Sequence, residues 1–309
     1  MSDSTVLRQS ICPTTFIKSE PLSKFLNADV VVASETFQHT GSFKFRAALN
    51  VVLNVPNTTI IAASSGNFGQ ALAKACQLAG KRCIVVMPEN SALVKIEGVK
   101  SYGAEIDLIN TAKVGRKERV LQIAADFPDA YLASAYDDPL VIEGNATLGD
   151  EIAEYKKDFA AVIVPIGGGG LIAGVVKGLC RNGCAAQVYG AEPLLGNDAA
   201  RSLSAGKIET NTREPQTIAD GARTVSLGEH NWQIIKPSVK EIIEVSEEKI
   251  ADAVRVLFSH ANLKVEPTGA LTTGAIMEAP TTFAEKSICL VASGGNVDGK
   301  MYQQILNFQ

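Results

Sequence analysis

The sequence predicts an open, parallel α/β fold, on two observations. Short β-branched apolar runs alternate along the chain with segments whose apolar residues recur at helical spacing, and several of the junctions are rich in glycine, serine and asparagine. The second is size: 309 residues can bury a large core and divide more naturally into two domains than one.

Taken in order, ADVVVASE (28–35) reads as a buried strand. The TFQHTGSFKFRAALNVVLN that follows reads as a turn and then a helix starting near Ser42, with Lys44 in its first turn. There the aligned amide dipoles modestly oppose an ammonium, which helps keep a free amine. TTIIAA is the next strand, SSGN a polar junction, and the alanine-rich helix after it ends at Gly80. RCIVVMP, SALVKIEGVKSYG, AEIDLIN and VGRKERVLQIAADF continue as strand, helix, strand and helix, which places a small domain at 55–135. Residues 139–158 read as a connection and helix, AAVIVPIGGGGLIAGVVKGLC repeats the strand, glycine loop, helix formula, and QVYGAEP is a strand. Residues 196–230 have few long apolar runs and several turn residues, and read as loop-rich. EIIEV is a strand leading to an amphipathic helix opened by Ser246, VEPTGALTTGAIMEA a helix, and SICLVASGGNVD a last buried strand with a polar exit.

Composition narrows the function. With 46% hydrophobic and 20% charged residues the chain is an ordinary globular protein, and a formal charge of −4 with scattered signs offers no basic field for nucleic acid or an anionic membrane. Cys12, Cys76, Cys83, Cys180, Cys184 and Cys289 lie mostly in apolar runs and read as buried thiols in a reducing compartment, with Cys180 and Cys184 one helical turn apart. His39, His230 and His260 are too dispersed for a histidine-based metal site. MSDSTVLRQS contains no apolar leader core, so a cytoplasmic protein is expected.

Four stretches can carry chemistry. GSFKFR (41–46) sets Lys44 beside a hydroxyl, an aromatic ring and a glycine. Most lysines are solvated surface, but partial burial makes the amine a nucleophile and proton carrier. IGGGG (166–170) follows a strand and opens a helix, so its amides can converge on a phosphate. Gly168, Gly170 and Ala173 also fit a dinucleotide fingerprint with Glu192 ending the next strand, which leaves a nicotinamide cofactor open on this loop. SSGNFG (64–69) can grip a carboxylate or simply cap its helix with Ser64 or Ser65. SGGN (293–296) is a third polar strand exit, and exits on one edge of a parallel sheet are where ligands bind.

Together and in this order, Lys44, SSGN, GGGG and SGGN resemble the fold-type II pyridoxal-phosphate enzymes, most closely the branch of serine/threonine dehydratases and serine racemase, from about Cys12 to Asp298. The resemblance displaces the dinucleotide reading. It implies a tryptophan-synthase-β-like fold of two open twisted α/β domains, with pyridoxal 5′-phosphate in the cleft between them. A large domain (1–54 with 136–309) would bind cofactor and a small one (55–135) substrate.

By the same resemblance Lys44 forms the Schiff base and takes the substrate α-proton, and Phe43 packs on one face of the cofactor ring. Gly167, Gly168, Gly169, Gly170 and the amide of Leu171 hold the phosphate; Asn67 meets the ring hydroxyl, Ser293 the pyridine nitrogen, and Glu266 stands behind the ring. A neutral hydroxyl at Ser293 does not force the ring nitrogen to stay protonated, which biases the chemistry towards β-elimination or proton exchange over transamination. Ser64, Ser65, Gly66 and Asn67 would hold the substrate carboxylate, with Ser65 as acid/base on the opposite face, and Arg116 and Thr224 near the distal end of the substrate. A Mg²⁺ or Ca²⁺ is implied at Glu192, the carbonyl of Gly196 and Asp198, hard oxygen ligands that suit those ions.

The implied reaction is dehydration and deamination of L-threonine, L-serine or a close β-hydroxy amino acid to a 2-oxo acid and ammonia. A serine or aspartate racemase, or a 3-hydroxyaspartate dehydratase, would use the same site, and a homodimer is the family expectation. The sequence departs from the family pattern with Phe68 in place of the common histidine, Ala47 in place of glycine, and EGNAT (143–147) in place of AGQGT; Phe68 and Glu143 are expected to reshape the cleft.

Overall fold

The structure, a computed structural model, describes residues 3–64, 66–91 and 93–307, so Ser65 lies outside the described residues. Its strands are β1 (Thr15–Lys18), β2 (Asp29–Ser34), β3 (Thr59–Ala63), β4 (Arg82–Pro88), β5 (Glu105–Ile109), β6 (Tyr131–Leu132), β7 (Ala161–Pro165), β8 (Gln187–Pro193), β9 (Val239–Val245) and β10 (Ser287–Ala292). The helices before β7 are α1 (Asp3–Ser10), α2 (Glu20–Leu26), α3 (Lys44–Asn54), α4 (Asn67–Ala79), α5 (Leu93–Ser101), α6 (Arg116–Asp126) and α7 (Pro139–Tyr155). After it come α8 (Gly170–Arg181), α9 (Asp198–Ala205), α10 (Glu229–Ser238), α11 (Glu247–Ala261), α12 (Pro267–Glu278), α13 (Pro280–Phe283) and α14 (Gly299–Asn307).

The strands form two sheets. One has the order β1-β2-β10-β7-β8-β9 and is parallel except for β1, which pairs antiparallel with β2 at the edge; the other has the order β5-β4-β3-β6 and is parallel throughout. Both sheets are covered on both faces, which is why their strands read as continuous apolar runs. Along β2, Val30 and Val32 enter one core cluster while Val31 and Ala33 enter another, the two-residue period of a strand. β3 behaves the same way, with Ile60 and Ala62 facing α3 and α4 residues and Ile61 facing α6 residues.

Topology sets the position of the site. β10 lies between β2 and β7, so the turns leaving those three strands emerge side by side: β2 leads to Lys44, β10 to Ser293 and β7 to the glycine loop. Beneath them α3 is anchored by Arg46, which is fully buried. Its guanidinium donates to Glu35 Oε2 at 2.7 Å, Glu151 Oε2 at 2.9 Å, Thr14 Oγ1 at 2.8 Å and Thr147 Oγ1 at 3.0 Å, so the charge is paired and its donors are satisfied.

Some expectations are corrected. Residues 196–230 contain α9, whose first turn is capped by Glu192 rather than by a neighbouring side chain. Cys180 is exposed and Cys12 half-buried, because Cys180 falls on the outward face of α8; Cys184 lies past that helix, beyond Gly183. No described helix is long and apolar enough to cross a membrane.

Candidate active site

Lys44 opens α3, whose cap residue, Phe43, offers no side-chain hydrogen bond to the helix. The backbone N–H of Phe43 donates to Ser293 O at 3.0 Å, Gly295 N–H donates to Gly41 O at 2.9 Å, and Ser42 bridges Gly294, which stitches the lysine stretch to the β10 exit. The Lys44 ammonium donates to Ala135 O at 2.7 Å and stands 4.9 Å from the Phe43 ring centroid and 5.8 Å from that of Phe68. Burial lowers its pKa to about 8, against the opposing pull of the Glu266 carboxylate.

The next residue after Ala135, Tyr136, rests on the glycine loop. A Cβ built on Gly168 would collide with Cδ2 of Tyr136, so only a bare backbone fits beneath that ring. Lys44 and the glycine loop thus meet the same dipeptide. The loop's carbonyls are held from outside: Asn231 Nδ2 donates to Gly168 O at 2.7 Å and Asn145 Nδ2 to Gly170 O at 3.0 Å. Gly169 takes φ +92°, and among the described residues the backbone amides of Gly167 to Leu171 find no acceptor. Unpaired amides at the start of α8 are an anion cradle, and they fit a phosphate group. Thr224 borders it, its buried Oγ1 unpartnered among the described residues and 3.6 Å from where a Cβ on Gly167 would lie.

Glu266 caps α12 in position only. Its carboxyl turns away from the helix amides and accepts from Asn67 Nδ2 at 2.8 Å, while Asn67 Oδ1 accepts from Asn296 Nδ2 at 2.9 Å. The Glu266 carboxyl is pushed up to about 8, by burial first and then by the nearby Asp220 carboxylate, so near neutrality it is a protonated group among neutral partners. Ser293 is buried at the start of the β10 exit.

The substrate-side residues are placed more variously. Ser64 Oγ accepts from Gly66 N–H at 3.3 Å and Gly69 N–H at 2.9 Å, so its oxygen serves the turn into α4, as an ordinary cap would. Gly66 and Asn67 form the start of α4 itself. Arg116 is paired with Glu214 at 3.0 Å in a solvent-exposed position. Glu143 does not reach the cleft: it pairs with Lys177 at 2.6 Å and with Arg181 on the outer side of α8, whereas Phe68 stands beside Lys44.

Glu192 and Asp198 are both 1% exposed. Glu192 accepts the amides of Ala199 at 3.0 Å and Ala200 at 2.9 Å, and Asp198 Oδ1 accepts from Asn211 at 2.8 Å. Among the described residues Asp198 Oδ2 is buried without a partner, Asp198 is raised to about 6 by burial, and Glu192 is raised well above the usual range by burial and then by Asp198. Two buried carboxyls with an orphaned oxygen fit a hard cation with water completing its shell. Among the described residues no group of three or more His, Cys, Asp or Glu side chains forms a metal cluster.

Tyr136, Asn231, Lys95 and Asp220 belong to the same region and are not singled out by the sequence, whereas Asn296 and Asn145 lie within SGGN and EGNAT without a role of their own. For Asn145 the available signal was its place in EGNAT (143–147), the stretch that departs from the family pattern. Two surface cavities, of about 540 and 480 Å³, lie beside α1 and contain none of the residues around Lys44. The larger is mostly apolar and the charges of the smaller are paired, as Asp150 is with Arg181, so chemistry places the site at the strand exits instead.

The chain is 33% identical over 305 residues to the L-threo-3-hydroxyaspartate ammonia-lyase of Saccharomyces cerevisiae, covering 97% of this chain and 93% of that protein. Maize serine racemase superposes with a TM-score of 0.92 at 29% identity, over 98% of this chain and 94% of the other. The T.th. threonine deaminase superposes with a TM-score of 0.90 at 37% identity, over 96% and 98%. Residues 7–294 match the family described as pyridoxal-phosphate dependent enzyme, which sets aside a nicotinamide cofactor on the glycine loop. With a partly buried lysine, a glycine cradle and a match across nearly its whole length, the chain belongs to the pyridoxal-phosphate dependent enzyme family.

Proposed function

We propose that the chain dehydrates and deaminates a β-hydroxy amino acid, L-threonine, L-serine or a close analogue, to a 2-oxo acid and ammonia. The observation that carries this reading is that Lys44, with its lowered pKa, shares the Ala135–Tyr136 dipeptide with a glycine loop whose amides find no acceptor among the described residues. Pyridoxal phosphate, when bound, supplies the electron sink for the charge left at the α-carbon.

The chain's residues do the rest. At pH 7 a pKa of about 8 leaves roughly a tenth of Lys44 as free amine, against fewer than one in a thousand at the ordinary lysine value, so it can both bond the cofactor and take an α-proton. Gly167 to Gly170 and Leu171 would hold the phosphate, Phe43 would pack on the ring, and Ser293 would meet its nitrogen. Asn67, oriented by Glu266 and Asn296, meets the ring hydroxyl. A protonated Glu266 adds no negative charge behind the ring. Ser64, Ser65, Gly66 and Asn67 hold the substrate carboxylate, Ser65 assists proton transfer on the far face, and Arg116 and Thr224 border the distal end of the substrate.

The part built on the six-stranded sheet, 1–54 with 136–309, acts as the cofactor domain and 55–135 as the substrate domain. Glu192, the Gly196 carbonyl and Asp198 hold Mg²⁺ or Ca²⁺, which neutralises two buried carboxylates. The names of the curated relatives and the family resemblance support the reaction class, and the resemblance supports a homodimer. The test is a turnover screen of L-threonine, L-serine and 3-hydroxyaspartate with chiral analysis of the remaining amino acid. Release of 2-oxo acid supports the reading, and D-serine appearing faster than pyruvate would assign a racemase instead.

A further inference from the structure

We propose that Asn231 is a positioning residue of the phosphate cradle, with Asn145 as its counterpart across the loop: their side-chain amides fix the glycine peptides so that the free N–H groups face the anion. The preference of this chain for pyridoxal phosphate over unphosphorylated pyridoxal then depends on two side chains that bond only backbone carbonyls. The inference rests on the cradle assigned above to the cofactor's phosphate, and is independent of the reaction proposed there.

Asn231 lies near the start of α10 and is fully buried. Its Nδ2 carries two donors and both are used, one on Gly168 O at 2.7 Å and one on Tyr136 O at 3.1 Å. Its Oδ1 is buried and, among the described residues, has no partner. Turning the amide over would set that oxygen against two carbonyl oxygens, so the partners fix its orientation. Asn145, 1% exposed on α7, repeats the arrangement: Nδ2 donates to Gly170 O at 3.0 Å and Oδ1 has no partner among the described residues. A buried acceptor left unpaired is costly, and an apolar side chain of similar size would avoid that cost. What both asparagines supply in exchange is a donor aimed at the glycine loop.

Peptide geometry turns those bonds into an orientation of the amides. In a trans unit the C=O of one residue and the N–H of the next point in opposite directions. Gly168 O is held twice from the α10 side, by Asn231 and by the Gly228 N–H at 3.0 Å, which turns the Gly169 N–H away from α10. Gly170 O, held by Asn145, turns the Leu171 N–H away from α7 in the same way. Gly169, at φ +92°, reverses the hand of the backbone between these two peptides, the alternation that lets successive N–H groups converge on one anion. The fit behind the loop is close: a Cβ on Gly169 would lie 3.1 Å from Asn231 Cβ, and one on Gly174 would collide with that of Asn145. α10 is itself seated by Asp137, which accepts the N–H groups of Glu229 at 3.0 Å and His230 at 2.9 Å, so Asn231 presents its amide from a fixed helix end.

The alternative is that the two asparagines only hold helices against the loop. Equilibrium binding of pyridoxal phosphate and of pyridoxal to the apoprotein, followed by cofactor absorbance, isolates the phosphate's share, since both aldehydes reach the same lysine. Asn231→Leu keeps the bulk, removes both donors and adds no charge that could act on the phosphate directly. In this variant the ratio of the two affinities should fall about tenfold to a hundredfold, the range for hydrogen bonds to a charged group, with pyridoxal nearly unchanged. Asn145→Leu should lower the ratio in the same direction. Should Asn231→Leu fail to fold, Asn231→Ser, which also loses the reach to both carbonyls, gives the same comparison. A wild-type ratio in the folded variants, with only a lower apoprotein Tm, would overturn the proposal in favour of a packing role. A wild type that binds pyridoxal as tightly as pyridoxal phosphate would overturn the cradle reading itself, a result told apart from the first because it needs no variant.

Discussion

Asn67 donates to Glu266 at 2.8 Å and so ties the first residue of α4 to the cap of α12, two elements that follow different sheets. Asn296 holds the other end of the same amide. Asn67→Ala should therefore leave a buried carboxyl without its partner and destabilise the apoprotein by about 1–3 kcal/mol, measurable as a lower midpoint in urea with an unchanged slope.

Glu266 gives that region a pH signature. In the fold its carboxyl keeps a proton up to about 8, whereas an unfolded glutamate loses it near 4.5. The folded state therefore binds more protons between those values, and this contribution is fully present below about 4.5 and lost as pH rises through about 8. In Glu266→Gln, which cannot ionise, apoprotein Tm should match the wild type most closely near the acid end of that window. The wild type should then lose ground steadily towards pH 8 and no further above it. Lys44 acts in the next window with the opposite sign: lowered from 10.5 to about 8, it makes the fold gain stability as pH rises between those values.

A side chain at Gly168 should exclude the cofactor without unfolding the chain. The added methyl of Gly168→Ala falls well inside contact distance of the Tyr136 ring, so ring or loop must move. Pyridoxal phosphate affinity, followed by its absorbance, should fall about tenfold or more, and Tyr136→Ala in the same chain should recover part of the loss, a coupling expected of groups in contact.

The carboxyls of Glu192 and Asp198 predict a metal-dependent stability. Mg²⁺ or Ca²⁺ should raise Tm and EDTA lower it, with saturation at a hundred times Kd adding about 2.7 kcal/mol. Asp198→Asn should be insensitive to both, since its orphaned oxygen is the one available to a cation. Equal Tm in EDTA and in Mg²⁺ or Ca²⁺ would count against the site.

What could be read from the sequence was what recurs locally. The apolar runs of β2, β7 and β10 and the polar turns that leave them are continuous in sequence, and the side-by-side order of those strands is what gathers Lys44, Ser293 and the glycine loop. Contacts across long separations were not legible. Asn231 reaches Gly168 from 63 residues away and Lys95 reaches Asp220 from 125, and each alone looks like an ordinary surface residue of its helix. Glu143 shows the converse error: its place beside an expected cleft motif suggested a role there, but the helical phase of α7 turns it out to Lys177 and Arg181 on α8. α9 was hidden because its cap, Glu192, comes from β8 rather than from the residue before the helix.

The most direct test compares 2-oxo acid and ammonia release from L-threonine, L-serine and 3-hydroxyaspartate by the cofactor-loaded wild type and by Lys44→Ala. Equal amounts of the two products from at least one substrate, falling by about 10²–10⁴-fold or more in the variant, is the predicted result for an amine that moves the α-proton. No release from any of the three, or release undiminished without Lys44, would contradict it.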